Sequence, residues 1–124
     1  MKAVFSKSAP APIGPYSQGI TAGKELFCSG QVGIDPATGN LTSDDVVAQA
    51  DRALKNLGAV LDAGGLSYAD VVKTTIYLLS MNDYAAVNDV YAKYFDETKP
   101  ARSTMAVSGL PRNAKIEIDA IARK

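Results

Sequence analysis

Between about Asp44 and Ala63, the apolar side chains Val47, Ala50, Leu54, Leu57 and Leu61 alternate spacings of three and four, which draws one continuous stripe down a helix. A stripe of that kind has to be buried against a second layer. Its ends are written nearby: Thr42 with Asp45 three residues on reads as a capping box, Asp44 and Asp45 suit the positive pole of the helix dipole, and Gly64-Gly65 supplies a left-handed stop. A second helix is predicted over about Asp83 to Glu97, with Tyr84, Val87, Tyr91 and Tyr94 on one side, Ser80 or Asn82 as cap and Pro100 just beyond. Its tyrosines are expected at the edge of the core.

The layer for these helices is supplied by extended segments. Val71 to Leu79 is dense in β-branched and aromatic residues and reads as a central strand. Near the end, Ile116, Ile118, Ala120 and Ala122 alternate with Glu117, Asp119 and Ile121, so one side of a last strand is apolar and Glu117 faces away from the main core. Shorter strands fit Lys2 to Phe5, Gly19 to Ala22, Leu26 to Ser29 and Thr104 to Ser108. The order is strands, helix, strand, helix, strands, an α+β single domain over residues 1–124 with a mixed sheet of about six strands and both helices on one face. Two helices leave the other face bare, which predicts a homo-oligomer.

Chemistry is constrained by what the chain lacks. Histidine is absent and Cys28 is the single cysteine, which excludes an intrachain disulfide, the usual Cys/His zinc sites and any Ser-His or Cys-His nucleophile. Within Leu26-Phe27-Cys28, the thiol reads as a small buried hydrophobe. Thirteen basic residues balance thirteen acidic ones, so the field that draws nucleic acid is missing. With no signal-peptide core and no apolar run of membrane length, a soluble cytoplasmic protein is expected.

Carboxylates, arginines, tyrosines, hydroxyls and backbone remain. In the segment from Pro100-Ala101-Arg102-Ser103-Thr104 to Lys115-Ile116-Glu117-Ile118-Asp119, two extended runs flank the turn Gly109-Leu110-Pro111. A hairpin there would set the Arg102 guanidinium, a fork for an anion, opposite the Glu117 carboxylate, which can orient water or accept its proton.

Three further motifs accompany that segment: Gly14-Pro15-Tyr16-Ser17-Gln18; Ser29-Gly30-Gln31 followed by Asp35-Pro36-Ala37-Thr38-Gly39; and Val72-Lys73-Thr74-Thr75 leading to Met81-Asn82-Asp83. In this order and spacing, over nearly the whole chain, the sequence resembles the reactive intermediate deaminase family, RidA, also called the YjgF family. The resemblance implies a chorismate mutase-like fold assembled as a homotrimer with clefts between subunits, and hydrolysis of 2-imino acids or their enamine tautomers, such as 2-iminobutanoate and 2-aminoacrylate, to 2-keto acids and ammonia. It implies no cofactor and no metal. By the same resemblance Arg102 holds the substrate carboxylate, Glu117 bonds the attacking water, and the main-chain carbonyl of Thr104 helps place that water. Tyr16 corresponds to a tyrosine at the cleft, Ser29 and Gly30 to a loop that approaches the ligand, and Asn88 to a helix asparagine near the site. Thr104 departs from the many members that carry cysteine there.

Two other classes compete with this expectation. One is an endoribonuclease or translation inhibitor, for which a neutral chain without a histidine acid/base pair is poorly equipped. The other is a non-catalytic binder of small carboxylates, or a chaperone.

Overall fold

The computed structural model describes all 124 residues, Met1–Lys124. Its elements are β1 (Lys2–Val4), β2 (Gly19–Ala22), β3 (Glu25–Val32), α1 (Val46–Ala63), β4 (Val71–Leu78), α2 (Tyr84–Phe95), β5 (Ala101–Ala106) and β6 (Ile116–Arg123). The strands form one six-stranded mixed sheet in the order β1-β2-β3-β6-β4-β5, all neighbours antiparallel except the parallel pair β4 and β5. The α+β architecture expected above is the observed one.

Both helices lie on the same face, because the alternation of β6 and β4 sends Ile116, Ile118, Ala120, Ala122, Thr74, Ile76 and Leu78 to that side, where all are buried. Leu54, Leu57, Val60 and Leu61 of α1 meet them fully buried, each contributing roughly 1.5–3 kcal/mol relative to an exposed position. The stripe is rotated slightly from the expected one. Val47 is exposed, while Gln49, Ala53 and Asn56 are buried. Gln49 and Asn56 earn that position through hydrogen bonds: Gln49 Nε2 donates to the Ser43 carbonyl at 2.8 Å and its Oε1 accepts from the Lys115 N–H, and Asn56 Nδ2 donates to the carbonyls of Val32 and Ile34.

The caps differ in detail from the sequence reading. Asp45 is itself the N-cap of α1, its carboxylate accepting from the Ala48 N–H at 3.1 Å, so the expected box with Thr42 does not form. At the other end Gly65, at φ +77°, takes the left-handed stop. Before α2, Ser80 Oγ accepts from the Asn82 N–H and caps a single 3₁₀ turn, Met81–Asp83, that runs into the helix. Tyr91 and Val87 are buried, Tyr94 is half-buried, and Tyr84 stands out at the surface.

The hairpin expected between the Arg102 and Glu117 segments is absent. Strand β4 lies between β5 and β6, pairing with both. The apolar, β-branched run of β4 takes the better-buried place in the sheet, and β5 is left as an edge strand.

Candidate functional site

The register decides where each chemical group goes. Thr74 is opposite Arg102 on one side and Ala120 on the other, so these three share a row, and that row faces the helices. Tyr77 is opposite both Met105 and Glu117, and that row faces the open side. Arg102 and Glu117 of one chain therefore project from opposite faces of the sheet, with a strand between them.

On the open face, Glu117 forms part of a cleft of about 470 Å³ together with Tyr16, Ser29, Gly30, Val32, Ile34, Pro111 and Arg112. The cleft exists because β3 carries a bulge between Cys28 and Gln31, where it pairs with β6. The bulge brings the Gly30 backbone against the Glu117 side chain so closely that a Cβ at residue 30 would lie 2.7 Å from the Glu117 Cδ and 3.0 Å from its Cγ, overlapping the carboxylate oxygen as well. Only glycine leaves that carboxylate where it is. Burial, and secondarily the negative charge of Asp119, raise the Glu117 carboxyl above the ordinary value of 4.5. Asp119 is held in turn by the Tyr77 hydroxyl, which donates to its Oδ2 at 2.9 Å.

The far wall is the segment leading into β2. Ser29 Oγ donates to the Ser17 carbonyl at 2.6 Å, and the Ser29 N–H donates to the Gln18 carbonyl at 2.9 Å, which ties the Tyr16 loop to the bulge. Gln18 completes the tie. Its side chain is buried, accepts from the Ser6 N–H at 2.6 Å and donates to the carbonyls of Ser6 and Pro10. Tyr16 itself is 55% exposed, a lid-like aromatic at the mouth.

Arg102 occupies a second, shallower recess with Asn88, Tyr91, Lys99 and Pro100. Its guanidinium lies 4.9 Å from the centroid of the Tyr91 ring and 5.6 Å from that of Tyr84, and Nη2 donates to the Tyr84 hydroxyl at 2.8 Å. Tyr91 is fixed from below by Thr74, their hydroxyls 2.7 Å apart. The tyrosines of α2 thus do more than edge the core: two of them aim the arginine. The alternation that revealed the helix carried no sign of this, because the arginine they hold arrives from another strand.

Of the residues singled out in the sequence, Glu117, Tyr16, Ser29 and Gly30 converge on the cleft, and Arg102 and Asn88 share the recess on the opposite face. Thr104 lines neither; it lies in the helix-facing row with Ile76 and Ile118, its Oγ1 buried without a hydrogen-bond partner. The expectation that Arg102 is the cation beside Glu117 fails within one chain, where the cation at that cleft is Arg112. Cys28 is buried and its thiol is pushed up to about 12 by burial, as its apolar neighbours suggested.

The class the fold and site define is a small α+β domain with a bulge-backed carboxylate in a cleft on one face of its sheet, an aromatic-held arginine on the opposite face and no histidine. Residues 6–124 match the family model described as Endoribonuclease L-PSP, and the chain belongs to that family, the RidA/YjgF family that its motifs resemble. It is 52% identical over 121 residues to a RutC family protein of Pyrococcus horikoshii, covering 98% of this chain and 96% of that one. It is 47% identical to the 2-iminobutanoate/2-iminopropanoate deaminase of Mus musculus, covering 98% and 90%. Among solved structures, E. coli TdcF with bound serine superposes with a TM-score of 0.96 at 42% identity, covering 100% of this chain and 99% of that one.

Proposed function

We propose that this protein hydrolyses 2-imino acids and their enamine tautomers to 2-keto acids and ammonia, in sites assembled between neighbouring copies of a homotrimer. The observation that carries the reading is the Glu117 carboxylate, backed by Gly30 on the cleft and raised in pKa by burial. Relatives named 2-iminobutanoate/2-iminopropanoate deaminase, from mouse and human at 47% and 42% identity, support the substrate class.

The chemistry asks little of the protein beyond placement. A protonated imine carbon is already electrophilic, so a fixed substrate and an oriented water suffice. Arg102 holds the substrate carboxylate through its bidentate fork, and the Tyr84 hydroxyl and the Tyr91 ring keep that fork in one orientation. Glu117 takes a proton from the water as the water oxygen bonds to C2 and the C=N π pair moves to nitrogen. Glu117 then returns that proton to the amino nitrogen, and the C–N bond breaks to release ammonia as the C2 hydroxyl gives up its proton to solvent and becomes the keto group. The Thr104 carbonyl helps place the water, and Tyr16, Ser29, Gly30 and Asn88 shape the surroundings. Burial raises the Glu117 carboxyl and so makes it a stronger base toward water than an exposed carboxylate.

Arg102 and Glu117 point to opposite faces of one sheet, so a single substrate meets both only if one copy presents its β5 edge to the open face of the next. Cyclic symmetry then repeats the seam three times. The test generates 2-aminoacrylate or 2-iminobutanoate in situ with a dehydratase and follows keto-acid release. Wild-type protein accelerates release, whereas Arg102→Ala and Glu117→Ala do not. Mixing and re-assembling the two inactive variants restores roughly a quarter of the activity, since random cyclic assembly leaves that fraction of seams with both native groups. No acceleration by the wild type, or no recovery in the mixture, overturns the reading, as does a monomeric mass at micromolar concentration. Retention on RNA that weakens steeply with salt would favour the ribonuclease class instead.

A further inference from the structure

Arg112 is the charged residue that lines the cleft beside Glu117, and the proposed reaction leaves it unused. It stands in the turn Pro111–Asn113 at φ +60°, ψ +23°, a left-handed conformation that glycine and asparagine adopt readily and arginine rarely does. Asn113 beside it, at φ +56°, is suited to that region; Arg112 is not. A strained backbone at the lip of a cleft, bearing a long cationic side chain, points to a use for that side chain.

Its surroundings hold it without neutralising it. The three ion pairs of the chain are Lys55 with Asp51, Lys99 with Asp96 and Arg123 with Glu25, so no carboxylate pairs with Arg112. Its one side-chain hydrogen bond is a long one, 3.4 Å, from Nη2 to the neutral Oδ1 of Asn40. Asn40 belongs to an ordered turn, its carbonyl accepting from the Asp35 N–H and its N–H donating to Thr38 Oγ1. Arg112 thus lines the cleft with no carboxylate partner and with most of its guanidinium donors free.

The cleft that Arg112 and Glu117 share is also lined by the apolar side chains of Ile13, Val32, Ile34 and Pro111. In the single chain the cleft is about 470 Å³, a size that takes small-molecule ligands. A short apolar stem ending in a second anion would use both the room and the charge. Resting on the deaminase reading above, we propose that Arg112 is a specificity residue that binds a distal carboxylate, so that 2-imino dicarboxylic acids, such as those derived from aspartate and glutamate, are favoured over their monocarboxylate counterparts.

The test has a turnover arm and a binding arm. In the first, kcat/KM is measured for 2-iminosuccinate and for 2-iminobutanoate, both generated in situ, and the ratio of the two is compared between the wild type, Arg112→Gln, Arg112→Asn and Arg112→Lys. Loss of a charge-assisted bond predicts that the dicarboxylate-to-monocarboxylate ratio falls about tenfold or more in Arg112→Gln and Arg112→Asn. Arg112→Lys, which keeps the cation, retains a good part of the preference. Arg112→Asn is also expected to be at least as stable as the wild type, because asparagine accepts the left-handed backbone. In the second arm, calorimetry compares 2-oxoglutarate with 2-oxobutanoate, and the same variants are expected to lose the tighter binding of the dicarboxylate. A ratio within twofold of wild type in both Arg112→Gln and Arg112→Asn overturns the proposal. If neither imino acid is turned over but the binding preference holds and depends on Arg112, the specificity assignment stands and the deaminase reading falls.

Discussion

Replacing Gly30 by alanine separates the position of Glu117 from its identity. The new methyl group would sit 2.7 Å from the Glu117 Cδ and 3.0 Å from its Cγ, well inside contact distance, and its nearest obstruction is the end of a side chain rather than backbone. The sheet can therefore stay in place while the carboxylate swings aside. Holding Glu117 in a less favourable rotamer costs about 0.5–1.5 kcal/mol. That is largely offset by about 0.4–1 kcal/mol from the narrower unfolded ensemble of alanine, since Gly30 does not use a positive φ. A melting temperature within a few degrees of wild type is expected. The carboxylate, however, moves by about the width of a methyl group, and a misplacement of ~1 Å in a catalytic group is enough to lose ~100-fold in rate. The assay is keto-acid release from 2-iminobutanoate produced in situ, run beside thermal unfolding of Gly30→Ala and Glu117→Gln. A folded Gly30→Ala protein with wild-type turnover would refute the claim that this contact sets the position of the base, and an unfolded one would make Gly30 a structural glycine only.

The titration of Glu117 gives a second prediction. Because its folded carboxyl is raised above 4.5, ionising it opposes folding: stability is greatest below the unfolded value and declines as pH rises through the folded one. Glu117→Gln should flatten that decline in pH-dependent melting, and the acid limb of the kcat/KM profile, displaced upward from 4.5 in the wild type, should move back down in Asp119→Asn. Third, Arg102→Lys is expected to lose most activity because a point charge cannot reproduce the bidentate fork, and Tyr84→Phe, which deletes the 2.8 Å bond, should raise KM several-fold with little change in melting temperature. Fourth, Gln18→Ala strips at least three hydrogen bonds from one buried amide and should destabilise by about 2–3 kcal/mol in urea unfolding while loosening the Tyr16 wall; a loss below half a kcal/mol would mean that the segment is held by its prolines instead.

How far the sequence could be read depended on the range of the interaction concerned. The helix over Val46–Ala63, the last strand and the inward set Ile116, Ile118, Ala120 and Ala122 follow from periodicities of 3.6 and 2, which are local and survive in a linear string. Glu117 on the outward face followed from the same alternation. The partner of β5 did not. A Pro/Gly turn between two extended runs is the ordinary mark of a hairpin, and nothing within residues 100–119 reveals that β4, more than twenty positions upstream, takes the place between them. Arg112 was invisible for a related reason: a basic residue in a turn looks like any exposed charge until its dihedral angles and the cleft beside it are known. Gln18, Gln49 and Asn56 look like surface amides, yet all three are buried because backbone groups from distant segments complete their hydrogen bonds.

The order of letters alone settled the layered architecture, the absence of imidazole chemistry and the residue types with which any reaction has to be run, because propensity, patterning and composition act over a few neighbours at a time. Tertiary structure alone decided that Arg102 and Glu117 leave the sheet on opposite sides, that a glycine backs the carboxylate, and that two tyrosines aim the guanidinium. Those outcomes depend on strand order and on one extra residue in a bulge, and a shift of a single residue in register would have sent each side chain to the other face.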